Sequence, residues 1–272
     1  MKVKRISIVS AIMILCTCLA GTAKAQGAFK QGDEYSKTTY IHASGVLQRG
    51  SQQYNINTAS SISKTYRVTG TTSDGVILTV TTTRITDTVD AFGKKLTYDS
   101  GKLVDTGSYI QVALQSLVGK VVTLSINKNG IITDVNDPDG KFATDTLMAF
   151  AGFNQDKFVA GKRLDLFADY QSPKKSGESW VSNSSVDDEK ISTTYTVGIA
   201  DEPEKYTNLL ITSTTTAGDQ NSNTNGVLIV DNWGVIIRGA MKTATVSYKL
   251  INNAPYAFSR LTEVLESCKK IN

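Results

Sequence analysis

Val121-Val122-Thr123-Leu124-Ser125-Ile126-Asn127-Lys128-Asn129-Gly130-Ile131-Ile132-Thr133 decides the fold class. A run dominated by β-branched residues enters a polar tip, and a second such run leaves it. Asn129-Gly130 at the tip accepts the positive backbone φ angles that a tight hairpin demands. Working outward, the same grammar recurs. Ser73-Asp74-Gly75 precedes Val76-Ile77-Leu78-Thr79-Val80-Thr81-Thr82-Thr83, and Val227 to Val230 leads through Asp231-Asn232-Trp233-Gly234 into Val235 to Ile237. From Thr243 to Leu250 the chain alternates strictly, with Ala244, Val246, Tyr248 and Leu250 on one side and Thr243, Thr245, Ser247 and Lys249 on the other. A period of two predicts a strand whose apolar side is dry and whose polar side is wet or lightly covered.

Two parts of the chain resemble each other. Ile62-Ser63-Lys64-Thr65-Tyr66-Arg67-Val68 matches Ile191-Ser192-Thr193-Thr194-Tyr195-Thr196-Val197, and each is followed by a polar turn and a Thr-rich strand. Hairpins led by Gly119 and Gly226 end the two parts. The predicted fold is mainly β: two related antiparallel meanders forming a large curved sheet or half-barrel, with one or two helices inserted between them. The first meander covers about 33–135, the helical insert about 141–170, and the second meander about 177–253. Within the insert, Ala143, Leu147, Phe150 and Ala151 recur at helical spacing over Phe142 to Phe153, whereas Asp156 to Tyr170 is broken by Gly161. The tail, 254–272, carries Leu261, Val264, Leu265 and Cys268 three to four residues apart, which predicts a short helix.

Residues 1–25 read as a secretory signal peptide. Lys2, Lys4 and Arg5 precede an uncharged apolar run, and Ala23-Lys24-Ala25 supplies the small-x-small cleavage pattern. Export to a periplasmic or extracellular location is expected, with cleavage after Ala25. The alternative is acylation at Cys18, whose preceding Leu15 fits a lipoprotein site and whose Thr17 does not; only then would the chain associate with a membrane. Loss of the four leader cations lowers the 29 basic residues to 25, against 25 acidic ones. A formally neutral chain lacks the net basic field that nucleic-acid binding needs. Cys268 is the one cysteine beyond the leader, so no internal disulfide forms there. It is expected to be a partly buried thiol, the sharper reading being a link to a second chain.

Chemistry-bearing motifs are scarce. His42 is the only histidine, which rules out a two-histidine metal site, and no Gly-x-Ser-x-Gly elbow accompanies it. It is expected on a polar strand surface. Asp134 to Gly140 imitates a calcium loop, but Pro138 stands fifth where an oxygen ligand belongs, and Gly140 stands seventh. Asp187-Asp188-Glu189 and Asp201, Glu202 and Glu204 read as solvated loop charges. No catalytic residue, metal ligand or cofactor requirement emerges.

Gly32-Asp33-Glu34-Tyr35, the strand–turn unit Tyr66–Val68 with Asp74-Gly75, the Asn129-Gly130 hairpin and Gly177-Glu178-Ser179-Trp180 together resemble a family of secreted β-rich proteins from Bacteroidota-type bacteria. The resemblance implies no activity. By looser analogy the chain is similar to half-barrel envelope lipoprotein carriers, which implies a non-enzymatic protein binding a lipid or other apolar or amphiphilic ligand. The alternatives are a structural or adhesive surface protein, with Trp180 or Trp233 as contact points, and, third, a hydrolase.

Overall fold

The computed structural model describes residues 29–137, 158–170, 175–186, 189–251 and 254–272. Their strands are β1 (Glu34–Arg49), β2 (Gln52–Thr71), β3 (Gly75–Ala91), β4 (Lys94–Asp99), β5 (Val121–Asn127), β6 (Ile132–Asn136), β7 (Ser179–Val186), β8 (Glu189–Val197), β9 (Tyr206–Ala217), β10 (Gln220–Asp231), β11 (Ile236–Ile251) and β12 (Ala254–Lys270), with one helix, α1 (Tyr109–Leu117). All 12 strands belong to one open antiparallel sheet in the order β6-β5-β3-β2-β1-β12-β11-β10-β9-β8-β7, and β4 pairs with the outer part of β3. The mainly-β expectation holds, and the sheet does not close into a barrel.

The order follows from chain direction. The chain runs outward from β1 to β6, with β4 and α1 intervening between β3 and β5, and inward through successive hairpins from β7 to β12. β12 then pairs with β1 from Tyr35↔Lys270 to Arg49↔Tyr256, joining the two halves at the centre. Strands of 16 or 17 residues there span about 50 Å at ~3.3 Å per residue.

One face carries the core. On this inner face lie Tyr35, Tyr66, Val68, Leu78, Leu124 and Ile132 of the first half and Leu209, Ile211, Leu228 and Val230 of the second. Helix α1 covers the outer part of the first half by placing Leu114 and Leu117 on Ile62, Ile85 and Tyr98. Ser108 caps its first turn by accepting from Gln111 N, and Gly119, at φ +79°, ends it in the left-handed conformation that glycine adopts without cost.

Residues 158–170 form a strap across the inner face at one end of the sheet. Leu164 N donates to Gly130 O and Ile132 N to Lys162 O; Ala168 N donates to Gly234 O and Ile236 N to Leu166 O. The strap thus makes one pair of hydrogen bonds to the β5–β6 hairpin and the same pair, four residues on, to the β10–β11 hairpin. Those hairpin tips are built alike. Asn127 Oδ1 accepts from the amides of Asn129 and Ile131, and Asp231 Oδ1 accepts from those of Trp233 and Val235.

Three expectations need correction. The described part of the insert, 158–170, is an irregular bridged segment and not a helix, while Phe142 to Phe153 lies outside the described residues, as does the leader. The described helix instead stands inside the first half, at Tyr109–Leu117. The tail is not helical but forms β12, because the exposed edges of β1 and β11 both gain a partner from it, which outweighs local periodicity. The β11 alternation is reversed. Val246, Tyr248 and Leu250 are 56–62% exposed on the outer face, and Thr245 is buried on the inner one.

Candidate functional site

Inward-pointing side chains can be followed in cross-strand rows. Near the strap the row contains Lys37 and Cys268; Lys37 Nζ bonds Glu266 Oε2 at 2.7 Å and the Asp165 carbonyl at 2.6 Å. Asp165 also accepts from Tyr66 Oη at 2.9 Å. Burial opposes its charge, but Lys37, Lys64 and the Tyr66 hydroxyl together hold its carboxyl below the usual carboxylate range. A cavity of about 310 Å³ lies here, between the strap and the second half, and is walled by Lys37, Asp165, Tyr195, Ile211, Leu228 and Met241.

The middle of the second half presents hydroxyls where a core would present methyls. Thr193 pairs with Ser213 at 2.8 Å, Thr224 with Thr243 at 2.8 Å, and Ser222 with Thr245 at 2.9 Å. Each hydroxyl satisfies its cross-strand neighbour, so the face is polar without being charged.

At the end of the sheet opposite the strap lies a second cavity, of about 280 Å³. Its presence follows from two small residues. Ala43 and Gly45 are successive inward positions of β1, and they carry only a methyl and a hydrogen. A Cβ at Gly45 would stand 2.7 Å from Ser259 O, which keeps larger residues out of that position. Leu47, Ile56 and Phe258 supply the apolar walls, Thr58 and Arg260 line the cavity as well, and Lys249, Asp219 and Tyr256 stand where β9–β12 turn. Thr58 is 4% exposed, and its Oγ1 has no hydrogen-bond partner. Burial pulls the Arg260 guanidinium below its ordinary value. Along β12 the four steps from Tyr256 to Arg260 span about 13 Å, which sets the depth.

The residues singled out in the sequence do not converge on this site. His42 is exposed on the outer face, opposite Glu263 in register, and Glu263 gives its carboxylate to Lys242 Nζ at 2.7 Å. Cys268 is buried beneath the strap and its thiol is pushed up to about 12, chiefly by burial, which places it beyond reach of a second chain's thiol. Trp180 stacks on Tyr195 at 5.2 Å, and Trp233 is half exposed at a hairpin tip. Asp137 pairs with Lys120 at 2.7 Å; Pro138 to Gly140 lie outside the described residues, as do Asp187 and Asp188. Glu202 pairs with Lys205 on the surface. Among the described residues no group of three or more His, Cys, Asp or Glu side chains is placed to hold a metal ion. Sequence reading missed Ala43, Gly45, Thr58 and Arg260. The available signal was the pair of small residues at alternate positions in His42-Ala43-Ser44-Gly45.

No family model matches the chain and no curated protein matches it, so the family resemblance of its motifs gains no support. Among solved structures it is similar to a chain described under lipid–protein interactions in lipovitellin, at 12% identity and a TM-score of 0.48. The match covers 90% of this chain and 26% of that one. Weaker likenesses are to OccK7 of Pseudomonas aeruginosa, at 8% identity and TM-score 0.24 over 90% and 100% of the two chains, and to an outer membrane channel from Pseudomonas putida F1, at 10% and 0.21 over 89% and 97%.

Proposed function

We propose that this chain is a non-enzymatic, exported binding protein that takes an apolar or amphiphilic ligand against the inner face of its sheet. The observation that carries the reading is the cavity at Ala43 and Gly45. A sheet of this size has the residues to close its core, and here small side chains leave about 280 Å³ open between apolar walls, close to the lower size of ligand sites. The cavity beneath the strap, near the same size, extends the accessible inner face towards the other end. The matched hairpin tips and the paired strap contacts support descent of the two halves from one meander.

Export with cleavage after Ala25 accompanies this reading, and acylation at Cys18 remains its alternative. The intact mass of protein taken from its host decides between them. Native mass spectrometry and lipid extraction of the same sample test the binding. A bound amphiphile is expected, and Ala43→Leu, which fills the cavity from one wall, should abolish it. Protein that emerges empty and takes up no added alkyl ligand overturns the proposal in favour of a structural or adhesive role.

A further inference from the structure

The core lies on the inner face, so the outer face should be polar, yet its centre is not. Across neighbouring strands the register aligns Tyr40, Leu265, Ala240, Val227 and Leu210. The large members of this row are 38–56% exposed. Two residues along each strand lies a charged row, in which Lys242 pairs with Glu263 at 2.7 Å, flanked by Asn225 and His42. Two residues further again, Leu261 stands exposed beside Ala244. Exposed apolar residues are ordinary singly, but a contiguous patch marks a surface that another molecule covers.

The patch is complementary to itself about a line between β11 and β12. Across that line Leu265 lies opposite Ala240, Leu261 opposite Ala244, Tyr40 opposite Val227 and Glu263 opposite Lys242. Large side chains are thus matched with small ones, and acid with base. A second copy, turned by a half-rotation about an axis parallel to the strands at this line, lays its β12 over β11 of the first. Each of the two leucines then enters the space above an alanine, and each ammonium meets the carboxylates of both copies. An axis across the strands would instead set Lys242 over Lys242.

We propose that two copies of this chain pack outer face to outer face about that axis, as an isologous dimer that leaves both inner faces free. The rows from Tyr40 to Leu261 cover about 24 by 20 Å at ordinary strand spacings, and side-chain relief brings this to the roughly 600 Å² per partner at which stable interfaces begin. The apolar rows supply affinity. The ring of four alternating charges fixes the register, since desolvated ion pairs select one arrangement more than they add binding energy. Sheet twist separates the rows beyond Leu261 and places Val246, Tyr248 and Leu250 at the rim.

Sedimentation equilibrium of the protein purified from its host should show a dimer at micromolar concentration. Leu265→Asp should raise the dissociation constant at least about tenfold while the circular dichroism spectrum stays unchanged. Lys242→Glu and Glu263→Lys should each give monomers, because like charges then meet across the axis, and an equimolar mixture of the two should dimerise again. That recovery distinguishes a contact between copies from a fold defect. Dimers that survive Leu265→Asp, or single charge variants that dimerise as well as their mixture, overturn the proposal. So does a monomeric wild-type protein, including one that binds vesicles of phosphatidylglycerol and phosphatidylethanolamine through this face. None of these outcomes touches the ligand-binding reading, whose cavities lie on the opposite face.

Discussion

Tyr66 directs its hydroxyl at both carboxylate oxygens of Asp165, at 2.9 and 3.0 Å, and thereby fastens the strap to the centre of the sheet. The two residues lie 99 positions apart in sequence. Tyr66 is fully buried, so its ring also packs the core that the strap covers. Tyr66→Phe keeps the ring and removes the donor, and should cost about 1.5–3 kcal/mol, the usual value of a hydrogen bond to a charged group. Urea unfolding at pH 7 reads this. A change below about 0.5 kcal/mol would mean that Lys37 and Lys64 hold Asp165 without the Tyr66 hydroxyl.

The same carboxylate sets a pH dependence. The folded pKa of Asp165 lies below its unfolded value, so its contribution is full above the ordinary carboxylate range and is lost as pH falls through the folded value. Asp87 behaves oppositely. It is 2% exposed, Oδ1 accepts from Ser60 Oγ at 2.5 Å, Oδ2 has no partner, and burial pushes its carboxyl above the ordinary range. The folded state then binds the proton more tightly, and stability falls as pH rises from about 3.9 through the folded value. Asp87→Asn should flatten that decline, and Asp165→Asn should flatten the loss on the acid side. Urea midpoints between pH 3 and pH 7 test both, and unchanged slopes in either variant would refute its assignment.

Gly130 offers a controlled comparison with Gly119. Both have positive φ, +74° and +79°, but a Cβ at Gly130 would lie 2.7 Å from Phe167 Cγ, whereas nothing lies within 4 Å at Gly119. Replacement by alanine should cost the left-handed backbone penalty of about 1–2 kcal/mol at both sites. At Gly130 the strap must move as well, adding at least about 1 kcal/mol more. Equal losses in thermal unfolding would show that the strap does not press on the hairpin.

How much of this was legible is clear from where local rules suffice. The hairpins at Asn127–Gly130 and Asp231–Gly234 were readable because Asx side chains and glycine fix those tips within four residues. The tail was not. Leu261, Val264, Leu265 and Cys268 have helical spacing, yet as β12 the chain turns Val264 and Cys268 inward and leaves Leu261 and Leu265 exposed. Nothing local reveals that β1 and β11 both have an edge to fill. The cavity was also hidden, because Ala43 and Gly45 mean an opening only when Ile56, Phe258 and Arg260 are known to surround them. Residue type spoke for hairpins; the site depends on register between strands more than two hundred residues apart.

Register also reverses an ordinary expectation at two neighbouring residues of β11. By hydrophobicity Val246 should matter and Thr245 should not. Val246, however, is 56% exposed on the outer face, while Thr245 is buried and shares a 2.9 Å hydrogen bond with Ser222 on the inner one. Val246→Thr keeps the β-branched shape in solvent and should change stability by no more than about 0.5 kcal/mol. Thr245→Val adds apolar surface yet leaves the buried Ser222 hydroxyl without its partner, and should cost about 1–3 kcal/mol. Thr245→Val combined with Ser222→Ala removes both hydroxyls and should recover most of that loss, because no unsatisfied group remains. Unfolding of the three variants in urea decides the matter. A larger loss at Val246 than at Thr245 would invert the faces of the sheet and, with them, the side on which the cavity lies.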